Sequence, residues 1–401
     1  MRVAIIVNFG FPCGMASTSR VRHLAMGLNE GGAAVEIIVP KPTELAGCAL
    51  NHQLSGRQDG IDYRYTSSET ILPENFILRR WSIMTGYISC ARYLFRNRNR
   101  TDAVILYLRE ISGLAFLATW CRLWGIPAIL EICEWPVSHK NNSLRTRFQN
   151  WLLTTGSFHF VDGVIAISSF LEQRVADFSA KHKLRRPCLV VPILVNSDNY
   201  QCSGAYNPRG DLLFCGILDQ VDIVLFLLKV VSQLKEKGFS RKLIITGKAF
   251  IEQNLETIKQ EITRLELSDL IVLTGYVSGE ELKWLYCTAS VLLAPLPSGE
   301  RSVARFPNKI GEYLASGRPV VTTAIGDIPN YLTDGESAYL VQPDDVKGFA
   351  AAIMQVINDT QKAERIGSKG CEVAVRHFDP RANGERMIDL IKKIRMNMGN
   401  R

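Results

Sequence analysis

Short apolar runs rich in β-branched residues alternate with helix-length amphipathic stretches along the whole chain. This is the pattern of parallel sheets covered by helices, and the fold class it implies is α/β. In the first half the runs predict strands at 3–7, 34–39, 103–108, 128–132, 163–167 and 188–191, with helices between them that include 18–30, 77–95 and 168–178. A polar, turn-rich stretch at 199–210 reads as a linker. The alternation then restarts, with strands at 212–215, 242–246, 270–273, 289–294, 319–322 and 338–341 and helices at 223–237, 251–265, 280–287 and 307–315. Helices at 347–358 and 360–377 follow, and Pro380 marks a break before a last helix. Two doubly wound parallel sheets in succession imply domains at 1–200 and 201–380, with a helix at 381–401 crossing back to the first. The cleft between the domains is then the expected ligand site.

Composition changes this picture little. The 401 residues are 47% hydrophobic and 21% charged, enough apolar material for two cores. The apolar run at the amino end is shorter than a signal-peptide core, and none approaches a spanning helix, so a cytoplasmic protein is expected. Ten cysteines are scattered without a Cys-x-x-Cys pair, which predicts reduced thiols. Six dispersed histidines lack metal-site spacing, and no Gly-x-Gly-x-x-Gly follows the first strand, which argues against zinc catalysis and a nicotinamide dehydrogenase. The net charge of +8 is uneven: residues 1–200 hold 22 Lys and Arg against 15 Asp and Glu, leaving 25 against 24 for the rest.

The most informative stretch is "ARFPNKIGEYLASGRPVV", residues 304–321. Pro307 suits the first turn of a helix, whose free amides and dipole favour an anion such as a phosphate. Lys309, Arg301 and Arg305 add positive charge beside it. Glu312 lies one and a half turns on, where a carboxylate can accept both hydroxyl hydrogens of a ribose. The competing reading makes Glu312 a solvated helix residue with Lys309 as its neutralising neighbour.

With its context, this stretch resembles family 4 of the retaining, nucleotide-sugar-dependent glycosyltransferases. The "PNKIGEYLASGRPVVTT" segment carries the resemblance, supported in order by "MRVAIIVNFGFPCGMASTSRVRHLAMGL", "DGVIAISSFLEQRV", "VVPILVN", "LIITGK" and "LTGYVSGEELKWLY". The resemblance implies a GT-B fold, two Rossmann-like domains facing across a cleft, with no metal or other cofactor; the absence of an Asp-x-Asp pair agrees. It implies that Glu312 binds the donor ribose, while the helix start at Phe306, Pro307, Asn308 and Lys309, through its free backbone amides and the Lys309 ammonium, holds the diphosphate. The loops carrying Gly247, Lys248, Tyr276 and Val277 would bracket the base. Gly14, in the turn after the first strand, would let backbone amides approach a phosphate or sugar; a bare turn is the alternative.

Three positions depart from the family pattern. Ala304 stands where a second carboxylate is often found, and Glu300 is out of register. Ile217 and Asp222 occupy the places of a usual basic pair, which shifts the diphosphate onto Arg301, Arg305 and Lys309. After the strand at 128–132, Cys133 occupies a frequent His position, with Glu131 and Glu134 beside it and His139 six residues later. Cys133 and Glu134 are thus catalytic candidates. Glu134 reads as a base for the acceptor hydroxyl, as a donor-sugar ligand, or as a structural carboxylate.

The activity implied is retaining transfer of a hexosyl group from a UDP- or GDP-sugar to a glycan or lipid-linked oligosaccharide in surface polysaccharide (O-antigen or capsule) assembly. A GT-B nucleotide-sugar 2-epimerase and a catalytically silent nucleotide-sugar-binding subunit are the alternatives. Apolar and aromatic residues mixed with arginines in "FILRRWSIMTGYISCARYLFRNRNR" suit an anionic membrane surface at the inner face, an ordinary sheet-covering helix being the other reading. Nucleic acid is not an expected partner.

Overall fold

The computed structural model describes residues 1–108, 110–135, 150–151, 154 and 156–399. The chain forms two compact units, Met1–Leu194 with Pro380–Arg401, and Val195–Asp379.

The sheet of the first unit contains β1 (Arg2–Val7), β2 (Ala34–Val39), β3 (Ser55–Gln58), β4 (Ile61–Tyr65), β5 (Ala103–Tyr107), β6 (Ala128–Ile132), β7 (Gly163–Ala166) and β8 (Cys188–Val190). Their order is β3-β4-β2-β1-β5-β6-β7-β8, parallel except for β3 against β4. Strand side chains alternate between faces, so Val3, Ile5 and Val7 pack with Leu24 and Leu28 of α1 (Ala16–Glu30) and with Met387 and Ile391 of the final helix (Pro380–Gly399). Ala4 and Ile6 point the other way, into a layer with Tyr87 and Leu94 of α2 (Phe76–Arg96) and Leu117 of α3 (Ile111–Leu123). α4 (Ser169–His182) completes the cover, with Val175 and Phe178 in that second layer.

The β3–β4 hairpin lies where the sequence reading placed no element. Its turn is Asp59–Gly60, both at positive φ (52° and 75°), the Asp-Gly form that closes two-residue hairpins. β3 is polar and largely exposed, so apolar periodicity carries no trace of it.

The second unit has β9 (Leu212–Cys215), β10 (Leu243–Thr246), β11 (Ile271–Gly275), β12 (Val291–Ala294), β13 (Val320–Thr323) and β14 (Tyr339–Val341), all parallel in the order β11-β10-β9-β12-β13-β14. Its helices include α5 (Val221–Glu236), α6 (Glu252–Arg264), α7 (Gly279–Thr288), α8 (Glu300–Ala304), α9 (Asn308–Ala315), α10 (Val346–Asn358) and α11 (Thr360–Val373). The connections change direction between β9 and β12, and open parallel sheets bind ligands outside the carboxyl ends of strands at such a point.

The cysteines are not all thiols. Cys202 and Cys287 form a disulfide with Cα atoms 5.4 Å apart, tying the segment after Tyr200 to the end of α7. They are 85 residues apart in sequence, so no spacing rule could announce the pair.

The final helix seats on α1 through glycine. A Cβ at Gly384 would run into the Gly27 carbonyl, and one at Gly27 into the Pro380 carbonyl. Substituting Gly384→Leu should therefore lower unfolding free energy by about 1–3 kcal/mol, the usual cost of overpacking. Chemical denaturation followed by far-UV circular dichroism checks this, and an unchanged midpoint would contradict the close approach.

Candidate functional site

Pro307 ends the preceding extended segment with φ −68° and ψ 130°, and α9 begins one residue later than expected, at Asn308. Gly317, at φ 73°, stops the helix as only glycine does without strain. Every residue of α9 from Ile310 to Ala315 is buried, Glu312 included at 9% exposure. A carboxylate so placed needs partners.

It has two on one oxygen. The Tyr286 hydroxyl, from α7, donates to Glu312 Oε2 at 2.7 Å, and Lys309 Nζ donates to the same oxygen at 2.8 Å. Lys309 also reaches the Tyr286 oxygen at 3.1 Å. Glu312 Oε1 receives no hydrogen bond from the described residues. The adjacent Tyr313 hydroxyl accepts from the Cys215 amide at the end of β9 (2.8 Å), and the Tyr286 and Tyr313 rings meet edge to face at 5.2 Å. Tyr200, two residues before the disulfide, lies 6.1 Å from the Tyr286 ring. The Lys309–Glu312 pair is therefore formed, but on a buried carboxylate rather than a solvated one.

Burial works against the Lys309 charge, and the Glu312 carboxylate more than offsets it, so the lysine pKa lies above its ordinary value. The pair's contribution is complete below the ordinary lysine range and fades only as pH rises through the raised value. Lys309 is thus a fixed cation at neutral pH. Burial first, then Glu312, pushes the Tyr286 hydroxyl well up, so it stays a proton donor. Tyr286 was missed in the sequence: a tyrosine inside α7 carries no local mark of a partner 26 residues on.

Beside this cluster the carboxyl ends of β9, β10 and β11 come together through glycines. The Gly216 amide donates to Thr246 O (3.0 Å) and the Gly247 amide to Gly275 O (2.9 Å). Gly247 has φ +145°, and a Cβ there would collide with the Gly216 carbonyl. Lys248 covers the Phe250 ring, Tyr276 projects with 81% of its surface exposed, and Val277 is buried. Phe306 is buried against Tyr331 and Phe378, Arg301 is exposed on α8, and Ala304 is buried. The Arg305 guanidinium reaches Gln220 Oε1 at 3.3–3.4 Å, which puts a cation at the start of α5, near Ile217 and Asp222.

In the first unit, Gly14 lies in the turn after β1, where a Cβ would strike Thr18. At the end of β6, Glu131 is 2% exposed and accepts from Arg20 Nε (3.0 Å) and Nη2 (2.9 Å). Arg20 further donates to the Pro192 and Val191 carbonyls. Burial raises the Glu131 pKa, with Arg20 opposing. Cys133 Sγ donates to Glu131 Oε1 at 3.1 Å, and burial, then the Glu131 charge, pushes the thiol above its ordinary range. Cys133 thus stands as a hydrogen-bond donor to the buried carboxylate. Glu134 is exposed in the same loop, and His139 lies outside the described residues. The Arg20–Glu131 pair was not anticipated; Arg20 falls on the apolar stripe of α1 four residues before Leu24, the one local hint of its burial.

Two doubly wound α/β sheets in succession define the GT-B fold. The solved sucrose-phosphate synthase of Thermosynechococcus elongatus superposes with a TM-score of 0.76 over 99% of both chains at 16% identity. Anabaena HepE in complex with UDP-glucose gives 0.68 over 98% of this chain and 99% of its own at 15% identity. Residues 209–359 match the family described as glycosyl transferases group 1. Among curated relatives, the putative colanic acid biosynthesis glycosyltransferase WcaL of Salmonella typhimurium is 27% identical over 42% of this chain and 41% of its own length. The chain thus spans about two fifths of the length of the curated relatives it first matches.

Because thiolate is the reactive form, iodoacetamide at about pH 8 should alkylate exposed Cys48 well before Cys133 in the folded protein. Peptide mass spectrometry reads the order, and equal labelling would contradict the shielded thiol.

Proposed function

We propose that this protein is a retaining hexosyltransferase that moves a sugar from a UDP- or GDP-sugar to a hydroxyl of a glycan. The observation that carries the reading is the buried Glu312 in α9, oriented by Tyr286 and Lys309 with Oε1 open, beside the β9/β12 switch point. In this reading Glu312 accepts the ribose hydroxyls, and Gly247 with the loop at Tyr276 and Val277 borders the base. The amides at Asn308 and Lys309, with Arg301 and Arg305, face the diphosphate. Charge grows on the diphosphate oxygen as the glycosidic bond breaks, so fixed donors aimed there stabilise the transition state more than the ground state. Gly14 and exposed Glu134, in the first unit, are assigned to the sugar and acceptor side.

The acceptor proposed is a lipid-linked oligosaccharide for surface polysaccharide at the inner face of the membrane. Support comes from the name of the Salmonella relative, which places that protein in colanic acid biosynthesis, and from the basic first half of the chain.

Titration with a panel of nucleotide sugars should find one bound donor. Glu312→Ala should weaken it roughly 10- to 150-fold, the range for losing hydrogen bonds of about 1.5–3 kcal/mol to a charged group. Tyr286→Phe, which keeps the ring and removes the donor, should weaken it less. Calorimetry checks both, and a Glu312→Ala protein that binds like the parent would falsify the ribose role.

A further inference from the structure

We infer that the first two turns of α2 form a docking surface for an anionic lipid bilayer. Phe76 (61% exposed), Ile77 (74%), Leu78 (58%), Trp81 (62%) and Met84 (47%) crowd large apolar side chains into nine residues, and none of the first six residues of the helix is buried. Ile77, Trp81 and Met84 are spaced i, i+4, i+7 and share one stripe. Scattered exposed apolar residues need no explanation, but a continuous patch on a helix marks a binding surface.

The helix is well anchored elsewhere. Ser82, Gly86, Tyr87, Cys90, Ala91 and Leu94 are its buried residues. Gly86 packs so closely on Pro40 that a Cβ would overlap the Pro40 carbonyl. The first turn is also fixed, because the Asn75 side chain accepts from the Ile77 and Leu78 amides at 2.9 and 3.2 Å. The exposed stripe is thus held out by a rigid helix.

Charge selects the occupant. α2 holds four arginines and no acidic residue, and Arg79 and Arg80 stand within the patch, with Arg80 above the Phe76 ring at 4.8 Å. Glu74, just before the N-cap, is the nearest carboxylate along the chain. Apolar side chains that enter the acyl boundary while arginines meet headgroup phosphates are the chemistry of an interfacial helix. Among the described residues no helix is long and apolar enough to cross a membrane, so the contact is with the surface.

This inference deepens the lipid-linked part of the proposed function and rests on it for the membrane setting. The test uses full-length protein and vesicles without donor or acceptor, so that the two readings fail separately. Protein should co-sediment with phosphatidylglycerol-containing vesicles, much less with phosphatidylcholine alone, and high salt should release it. The double variant Ile77→Ser/Trp81→Ser should lose at least roughly tenfold in partitioning, and Arg79→Ser/Arg80→Ser should lose the preference for anionic lipid. Both should keep the parent circular dichroism spectrum and nucleotide affinity. Unchanged vesicle binding by both folded variants would overturn the inference. So would a parent protein that ignores vesicles and instead dimerises, or binds another protein, through this face.

Discussion

A carboxylate withdrawn from water is tolerated where a cation and hydrogen-bond donors meet it, and each unit of this protein holds such a group. In the second unit it is Glu312, answered by Lys309 and Tyr286 on a single oxygen. In the first it is Glu131, answered by Arg20 and the Cys133 thiol. Removing one partner from such a pair costs more than the pair itself contributes, since the other charge is left buried alone, about 3–5 kcal/mol in comparable sites. The packing around both carboxylates therefore carries their geometry as a condition of stability.

Each carboxylate is held through one oxygen, and Glu131 Oε2 is sealed in the packing without a hydrogen bond from the described residues. Arg20 ties Glu131 to the carbonyls of Val191 and Pro192, so that network reads as a clamp across strand ends. Glu312, inside α9, keeps Oε1 without a hydrogen bond from the described residues. A carboxylate fixed in direction beside the strand ends is suited to binding a diol, whereas Glu131, 2% exposed with Arg20 Nε and Nη2 both on Oε1, is suited to holding structure. The close glycine contacts at Gly216, Gly247 and Gly275 bring the neighbouring backbone to the same strand ends.

Much of this was legible in the chain before folding. The unbroken apolar run from Val3 to Val7 foretold a strand of a helix-covered parallel sheet, and the stretch from Pro307 to Val321 foretold α9, its glycine stop and the strand after it. The Asp59–Gly60 turn was equally legible but was passed over, because the strand before it is polar. Helix ends moved by a residue or two; Pro307 proved to be the residue before the helix, since its ψ of 130° is extended.

Local sequence thus determined what depends on a few consecutive residues: periodicity, caps, turns and the α/β class, because dihedral preferences and side-chain faces are short-range properties. Tertiary structure alone decided the pairings between distant segments. Tyr286 with Glu312, Arg20 with Glu131, Cys202 with Cys287 and Gly27 with Gly384 each join segments that meet only after strand order and helix packing are set. No spacing along the chain encodes that proximity, and the same packing turned Lys309 from a surface cation into the fixed partner of a buried carboxylate.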